Sequence, residues 1–412
     1  MNNDFHDVSA TAENPFYGRL IERKCKLYEK EGDVRSPFAR DYTRILHSTA
    51  FRRLKHKTQV FFNIENDHVC TRMEHVSHVE SVAYTVARSL GLNDELTRAI
   101  AMGHDLGHTP FGHDGERIVA KLYKEYLGED FCHEKNGLYF VDKIELLPDS
   151  KGIYRNLDLT YAVRDGIITH CGESDEGTVK PRNDFCDLYS IKYPSQCNSV
   201  TYEGCIVKLA DKIAYVGRDI EDALSLGFID EKDRALLNKI INSKDDNTAN
   251  TSAIMSAMIS DVCKNSTPED GIRTSPEMTE MLAKIKQFNY KNIYANERFK
   301  PFSRYAEVVL SEIFFFLKSA FKNGDPFGGL EVKRRNNTEL VDEFSEYLSK
   351  YVEPSCVPEK FKKGLDLYSN EKIYGTLSDE KTFVKSVLDY LSGMTDRYAI
   401  RMFNGLLSYG KR

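Results

Sequence analysis

Over residues 40–54 the apolar positions fall at 42, 45, 46, 50, 51 and 54, a helical stripe edged by arginines. The same period returns from Arg72. Val76, Val79, Val82, Ala83, Val86, Ala87 and Leu90 form one face, and Gly91 supplies the left-handed stop that commonly ends a helix. Asn93 or Asp94 then caps a second helix through Ala99, Ile100 and Met102. Further helices are expected over 116–127, 134–145, 204–219, 303–320 and 380–393, with a polar, loop-rich interval at 172–204. Only 59–62 and 68–71, β-branched and aromatic on either side of a polar 63–67, leave the helical period, and they predict a short hairpin. The pattern predicts an all-α fold with one short β-hairpin. Along the chain it divides into a polar lead-in (1–35), a core (36–228) and a helical C-terminal region (229–412).

Composition narrows the class. A chain of 412 residues with 41% hydrophobic content can bury one large core or two or three ordinary ones. A formal net charge of -6 excludes a protein whose whole surface is a nucleic-acid footprint, while leaving room for a local basic cleft. Nine scattered cysteines without a Cys-x-x-Cys pair suggest neither a disulfide framework nor a cysteine zinc site. With no basic-then-apolar leader and no uninterrupted apolar span, a soluble cytoplasmic protein without membrane partners is expected.

Histidine is distributed least evenly: all 11 lie between His6 and His170. The densest stretch, Gly103-His104-Asp105-Leu106-Gly107-His108-Thr109-Pro110-Phe111-Gly112-His113-Asp114-Gly115-Glu116, has too many titratable groups for a packing segment. A single helical histidine is usually a surface or hydrogen-bonded core residue. A divalent ion needs several histidine nitrogens and carboxylates from different helices, because one helix face cannot surround it. His75, His104, Asp105 and Asp211 supply such a set. Asp211 lies inside the apolar run Ile206 to Val216, where an unpaired charge costs several kcal/mol in effective terms, roughly. Arg72 and Lys212, each close in sequence to one of these ligands, are placed to meet phosphates. His113 and Glu116 share a face at i,i+3 if a helix starts after Pro110, so the carboxylate can hold the imidazole protonated. Asp211, Tyr215 and Asp219 likewise share one face.

The chain resembles the HD-domain metal-dependent phosphohydrolases, and within them the deoxynucleoside triphosphate triphosphohydrolase (dGTPase-like) branch. The resemblance rests on His75, His104-Asp105 and Asp211 together with longer strings. These are Arg40-Asp41 with Arg44-Ile45-Leu46-His47-Ser48, Phe51-Arg52-Arg53-Leu54 with Lys57-Thr58-Gln59-Val60, Thr71-Arg72-Met73-Glu74-His75, and Gly103 through His113 with Gly115-Glu116. Asp211-Lys212 with Tyr215 and Asp219 completes it, and the likeness is dense from about 35 to 225 and thin beyond.

The resemblance implies an HD helical fold whose C-terminal extension completes the nucleotide pocket and makes oligomer contacts. It implies a divalent metal (manganese, magnesium, iron or cobalt) on the four ligands, and hydrolysis of a dNTP, with dGTP favoured, to deoxynucleoside and tripolyphosphate. His113 with Glu116 would form the acid pair, and His108 and His133 would meet the α-phosphate or the attacking water. Tyr215 would pack on the deoxyribose, with Asp219 and Gln59 near its 3′ hydroxyl. A homo-oligomer and a nucleotide effector are further expectations from the family. The motif around His133 departs from the family's, with Gly137 where a hydroxyl residue is expected.

Two other readings stand beside this one: an HD phosphohydrolase for a cyclic nucleotide, nucleoside monophosphate or alarmone, and a non-catalytic nucleotide sensor or nucleic-acid-binding protein. The aromatics of 288–294 and 298–305 read as core. Lys333-Arg334-Arg335 reads as a solvated face, with single-stranded nucleic acid as its minority reading.

Overall fold

The helix Arg72–Leu90 starts and stops where local chemistry dictates. Thr71 Oγ1 accepts from the Glu74 N–H at 3.4 Å while the Glu74 carboxylate accepts from the Thr71 N–H at 2.8 Å, a capping box that satisfies two donors at once. Gly91 closes the helix at φ 76°. Asn93 caps the next helix, Asp94–Gly103, by accepting from the Leu96 N–H at 2.9 Å.

The computed structural model describes residues 5–25, 32–61, 68–172, 177–241, 251–322 and 324–408. Their contacts form two compact units that interleave along the chain. Unit 1 comprises Met1–Leu46, Ile64–Asp105 and Asp158–Lys300, and unit 2 comprises His47–Asn63, Leu106–Leu157 and Pro301–Arg412. The three consecutive segments read from the sequence are therefore cut across by the contacts.

In unit 1, Arg72–Leu90, Asp94–Gly103, Tyr161–Thr169 and Tyr202–Ser225 pack on one another, and Thr251–Asn265 and Pro276–Asn289 pack on Tyr202–Ser225. The apolar stripe of Arg72–Leu90 is buried, with Val76, Val79 and Ala83 at 0% exposure. Asp94–Gly103 and Tyr161–Thr169 approach through glycine: a Cβ on Gly166 would stand 2.6 Å from Ile100 Cδ1. A two-residue antiparallel pair, Thr178–Val179 with Ile272–Arg273, lies in the same unit.

In unit 2, Gly112–Leu127 packs on Glu380–Ser392, which also meets Thr338–Ser349. His133–Tyr139 runs into a π turn at Phe140–Ile144 and then into a hairpin of Leu146–Pro148 with Tyr154–Asn156.

The fold is all-α with short antiparallel pairs, as the periodicity predicts, but three details differ. The stripe over 40–54 is two helices, Pro37–His47 and Thr49–Arg53, because the Ser48 hydroxyl leaves the first and accepts from the Phe51 N–H at 3.2 Å to cap the second. The helix expected over 134–145 loosens into its π turn after Tyr139. The described hairpin is at 146–156; of the one expected at 59–71, residues 62–67 lie outside the described residues. Among the described residues no helix is long and apolar enough to cross a membrane.

Candidate metal centre

Three helices of unit 1 bring His75, His104 and Asp211 together, with one ligand atom of each within 4.8 Å of the others. His75 sits in the first turn of Arg72–Leu90, His104 caps Asp94–Gly103, and Asp211 comes from the middle of Tyr202–Ser225. His75 Nε2 lies 3.0 Å from Asp211 Oδ1, and His104 Nε2 lies 3.9 Å from the same oxygen. His104 is fully buried, and its Nδ1 donates to the Ala101 carbonyl at 2.6 Å, which directs Nε2 into the cluster. That Nε2 is buried and makes no hydrogen bond. A buried nitrogen left in this way normally costs about 1–3 kcal/mol, and a neutral imidazole nitrogen aimed at two carboxylates is the donor a divalent ion needs. The residues fit a metal.

Asp105 stands beside this group. Its Oδ1 is 3.5 Å from His104 Nε2, and its Oδ2 accepts from Arg72 Nη1 at 2.8 Å, with both side chains almost wholly buried. The structure thus sets Arg72 on a carboxylate, where it orients Asp105. Burial is the largest single influence on the His75 ring and works against its charge, but the hydrogen bond to Asp211 and the negative charges of Asp211 and Asp105 together outweigh it and raise the ring above its ordinary value. Burial also opposes charge on Asp211, and the same bond together with the surrounding histidines overcomes it and holds that carboxyl below the usual carboxylate range.

A cavity of about 840 Å³ in unit 1 is lined by Asp211, Lys212, Tyr215 and His170, among others. Asp219, two turns beyond Asp211, is buried and accepts from the Tyr294 hydroxyl. Burial pushes its carboxyl up to about 7, against the lowering effect of that hydroxyl.

The remaining sequence candidates lie in unit 2. His108 and His133 stack with centroids 3.8 Å apart and planes at 17°. Glu116 Oε1 is 2.9 Å from His133 Nδ1 and accepts the His133 backbone N–H at 2.9 Å. Burial raises the Glu116 carboxyl, yet the charge and donors of His133, with His108 behind them, hold it below the carboxylate range. His113 Nδ1 is 4.0 Å from Glu116 Oε2 on a side chain that is 73% exposed. Glu116 therefore leans on His133 first. Gln59, half-buried in the same unit, leaves Oε1 without a hydrogen bond.

The backbone under this group is tightly built. Phe111 adopts φ 63° and donates its N–H to Asp396 Oδ1 at 2.9 Å. A Cβ on Gly115 would lie 1.7 Å from the Pro110 carbonyl oxygen, and one on Gly107 would lie 2.1 Å from the His133 carbonyl oxygen and 2.2 Å from the Gly137 nitrogen. The glycine at 137 thus belongs to a close backbone approach.

Residues 72–216 match the HD domain family model. A deoxyguanosinetriphosphate triphosphohydrolase-like protein of Caldanaerobacter subterraneus is 32% identical over 389 residues, 94% of this chain and 90% of the relative. Its namesakes in Desulfatibacillum aliphaticivorans and Clostridium tetani are 38% identical over 291 residues (68% and 73% of the two chains) and 30% identical over 398 (94% and 89%). The chain belongs to the HD-domain dGTPase-like family.

Family membership makes the chain an HD hydrolase with a metal-type His/Asp centre. Two residues near that centre have no place among the sequence candidates. His170 directly follows Tyr161–Thr169, its ring centroid 5.0 Å from that of His104 and its Nδ1 on the Ile167 carbonyl at 2.7 Å. Its signal was available as the last histidine of the chain, behind a wholly apolar helix face. Tyr294 reaches Asp219 from the aromatic run read as core, and nothing in its own segment distinguishes it from a packing residue.

Proposed function

We propose that the protein is a metal-dependent dNTP triphosphohydrolase, with dGTP the favoured substrate. The observation that carries this is the His75–His104–Asp211 cluster, whose Asp211 opens with Lys212 and Tyr215 onto one cavity. A divalent ion (manganese, magnesium, iron or cobalt) held by these residues and Asp105 would supply Lewis-acid polarisation of a phosphoryl oxygen. Arg72 holds Asp105 in place and, with Lys212, adds positive charge for the phosphates. Water attacks the α-phosphorus, the bond from phosphorus to the 5′ oxygen breaks, and tripolyphosphate and a deoxynucleoside are released.

The proton work falls to the histidine set of unit 2. Glu116 fixes His133 in one tautomer, His108 stacks on it, and the exposed His113 protonates the departing 5′ oxygen. Tyr215 packs on the sugar, and Asp219 and Gln59 recognise its 3′ hydroxyl; Tyr294 fixes the Asp219 carboxylate for that task. The family's homo-oligomeric state and nucleotide effector belong to the same reading as expectations; single-stranded nucleic-acid contact is the minority reading of Lys333-Arg334-Arg335 alone.

The test is product analysis with each of the four dNTPs and GTP, adding back one metal at a time. Tripolyphosphate and deoxynucleoside are expected. Pyrophosphate or orthophosphate as first product would overturn the assignment in favour of another HD phosphohydrolase, and tight dNTP binding with no turnover would favour a sensor.

A further inference from the structure

Unit 2 contains a cavity of about 450 Å³ made wholly from its own residues. This is the size range of small-molecule sites, about 300–1,000 Å³. Six tyrosines line it: Tyr154, Tyr347, Tyr351, Tyr368, Tyr390 and Tyr398. Their positions are fixed by bonds and stacking, mostly to one another and to the rest of the lining. Tyr351 donates to the Ile144 carbonyl at 2.5 Å, the Tyr390 and Tyr398 hydroxyls bond at 2.6 Å, and that of Tyr347 bonds Tyr374 at 2.6 Å. Tyr154 and Tyr368 stack at 4.7 Å with planes 14° apart. A wall of braced aromatic rings suits a flat ring system, since stacking is gained without ordering the walls.

The charged lining residues select further. Glu145 is already satisfied by Arg53 at 2.6 Å, Thr49 at 2.8 Å and the Ala50 N–H at 2.9 Å. Asp389 is satisfied by Tyr123 at 2.8 Å, Tyr374 at 2.9 Å and Lys385. Two charges keep capacity for a ligand: Lys350, and Glu343, whose carboxylate takes one bond from the Tyr398 hydroxyl and has acceptor positions to spare. They stand seven residues apart, Glu343 in the middle of the helix Thr338–Ser349 and Lys350 at its C-cap, about 10 Å by helical rise. Lys350 Nζ lies 5.6 Å from the Tyr368 ring centroid and has no carboxylate within ion-pair distance among the described residues. With Arg53 on Glu145 and Lys385 on Asp389, the three lining carboxylates are matched by three cations, so the cavity has no excess of positive charge to hold a triphosphate.

We propose that this cavity is a second ligand site, for an uncharged planar heterocycle of nucleoside size that offers an acceptor to Lys350 and a donor to Glu343. The cavity shares no lining residue with the one beside the metal centre, and the proposal does not depend on which nucleotide that centre hydrolyses.

The full chain is titrated calorimetrically with deoxyguanosine, deoxyadenosine and dGTP, with the Met394 methyl group, also in the lining, followed by ¹³C NMR as a local reporter. Saturable nucleoside binding is expected to move the Met394 signal, to persist in Tyr215→Ala, and to weaken at least about tenfold, some 1.4 kcal/mol, in Tyr368→Ala and Lys350→Ala. A Met394 signal that does not move with nucleoside, or binding lost in Tyr215→Ala and unchanged in Tyr368→Ala, would overturn it. If dNTPs release no tripolyphosphate while Met394 still responds to nucleoside, only the triphosphohydrolase reading falls.

Discussion

Among the described residues, two clusters have the same composition, two histidines and a carboxylate with donor atoms within 4.8 Å, one in each unit. In unit 1 the rings of His75 and His104 meet edge to face, 5.5 Å apart at 65°, and Asp211 Oδ1 is within 4.0 Å of both Nε2 atoms. In unit 2 the rings of His108 and His133 lie nearly parallel, and Glu116 takes the ring and backbone N–H groups of a single histidine. Imidazole lone pairs lie in the ring plane. Rings set at an angle can converge on one ion, whereas parallel rings stacked face to face direct their nitrogens side by side. Grouping by distance alone would make both clusters metal sites; ring orientation suits the first to the chelate proposed for it and the second to the proposed proton work.

The strongest way to break that contrast is at a ligand. His104→Ala or Asp211→Asn should remove bound metal, measured by elemental analysis, and lower hydrolysis by more than the roughly 10–100-fold typical of outer-shell changes. A variant that keeps full metal content would end the distinction. On the other side, His133→Ala and His113→Ala should keep metal and lose turnover by about 10²-fold. Metal loss in either would mean that unit 2 chelates after all.

Arg72→Ala sharpens the picture within unit 1. It removes the guanidinium that orients Asp105 Oδ2, so metal affinity should fall about 10–100-fold while the ion still binds at saturation. Equal metal affinity in wild type and variant would confine Arg72 to phosphate contact.

The smallest effect concerns Asp219. Because its folded-state value is raised to about 7, the native state holds the proton more tightly than the unfolded chain. Stability from this group is present at low pH and declines as pH rises from about 4 through about 7. Asp219→Asn should therefore raise stability by about 1–3 kcal/mol above pH 7.5 and leave it unchanged near pH 4, read from denaturant melts at both values. A pH-independent difference would show that Asp219 ionises normally.

Much of this was legible from the chain alone, for local reasons. Thr71 and Glu74, Gly91, and Asn93 carry their helix boundaries in their own chemistry, and the structure puts the ends there. His75, His104 and Asp211 stood out because charged or metal-binding groups inside apolar helices need compensation. What could not be read depends on contacts between distant segments. The preference of Glu116 for His133 over His113 is fixed by a partner 17 residues away, and periodicity suggests only the i,i+3 neighbour. Ser48 is a middling helix residue until its hydroxyl meets the Phe51 N–H, and Tyr294 differs from any core aromatic only through Asp219, 75 residues earlier.

Gly115 limits how this sequence can evolve. Every alternative amino acid adds a Cβ, and that atom would lie within 1.7 Å of the Pro110 carbonyl oxygen. No single codon change at this position can be explored without moving the loop that carries His108 into the helix of His113 and Glu116. A library randomised at 115 should return glycine almost exclusively, whereas one at Gly128, where nothing lies within 4 Å of an added Cβ, is restricted only by its left-handed backbone. Drift in this wall is thus confined to its side chains, over a main chain that selection cannot adjust in single steps.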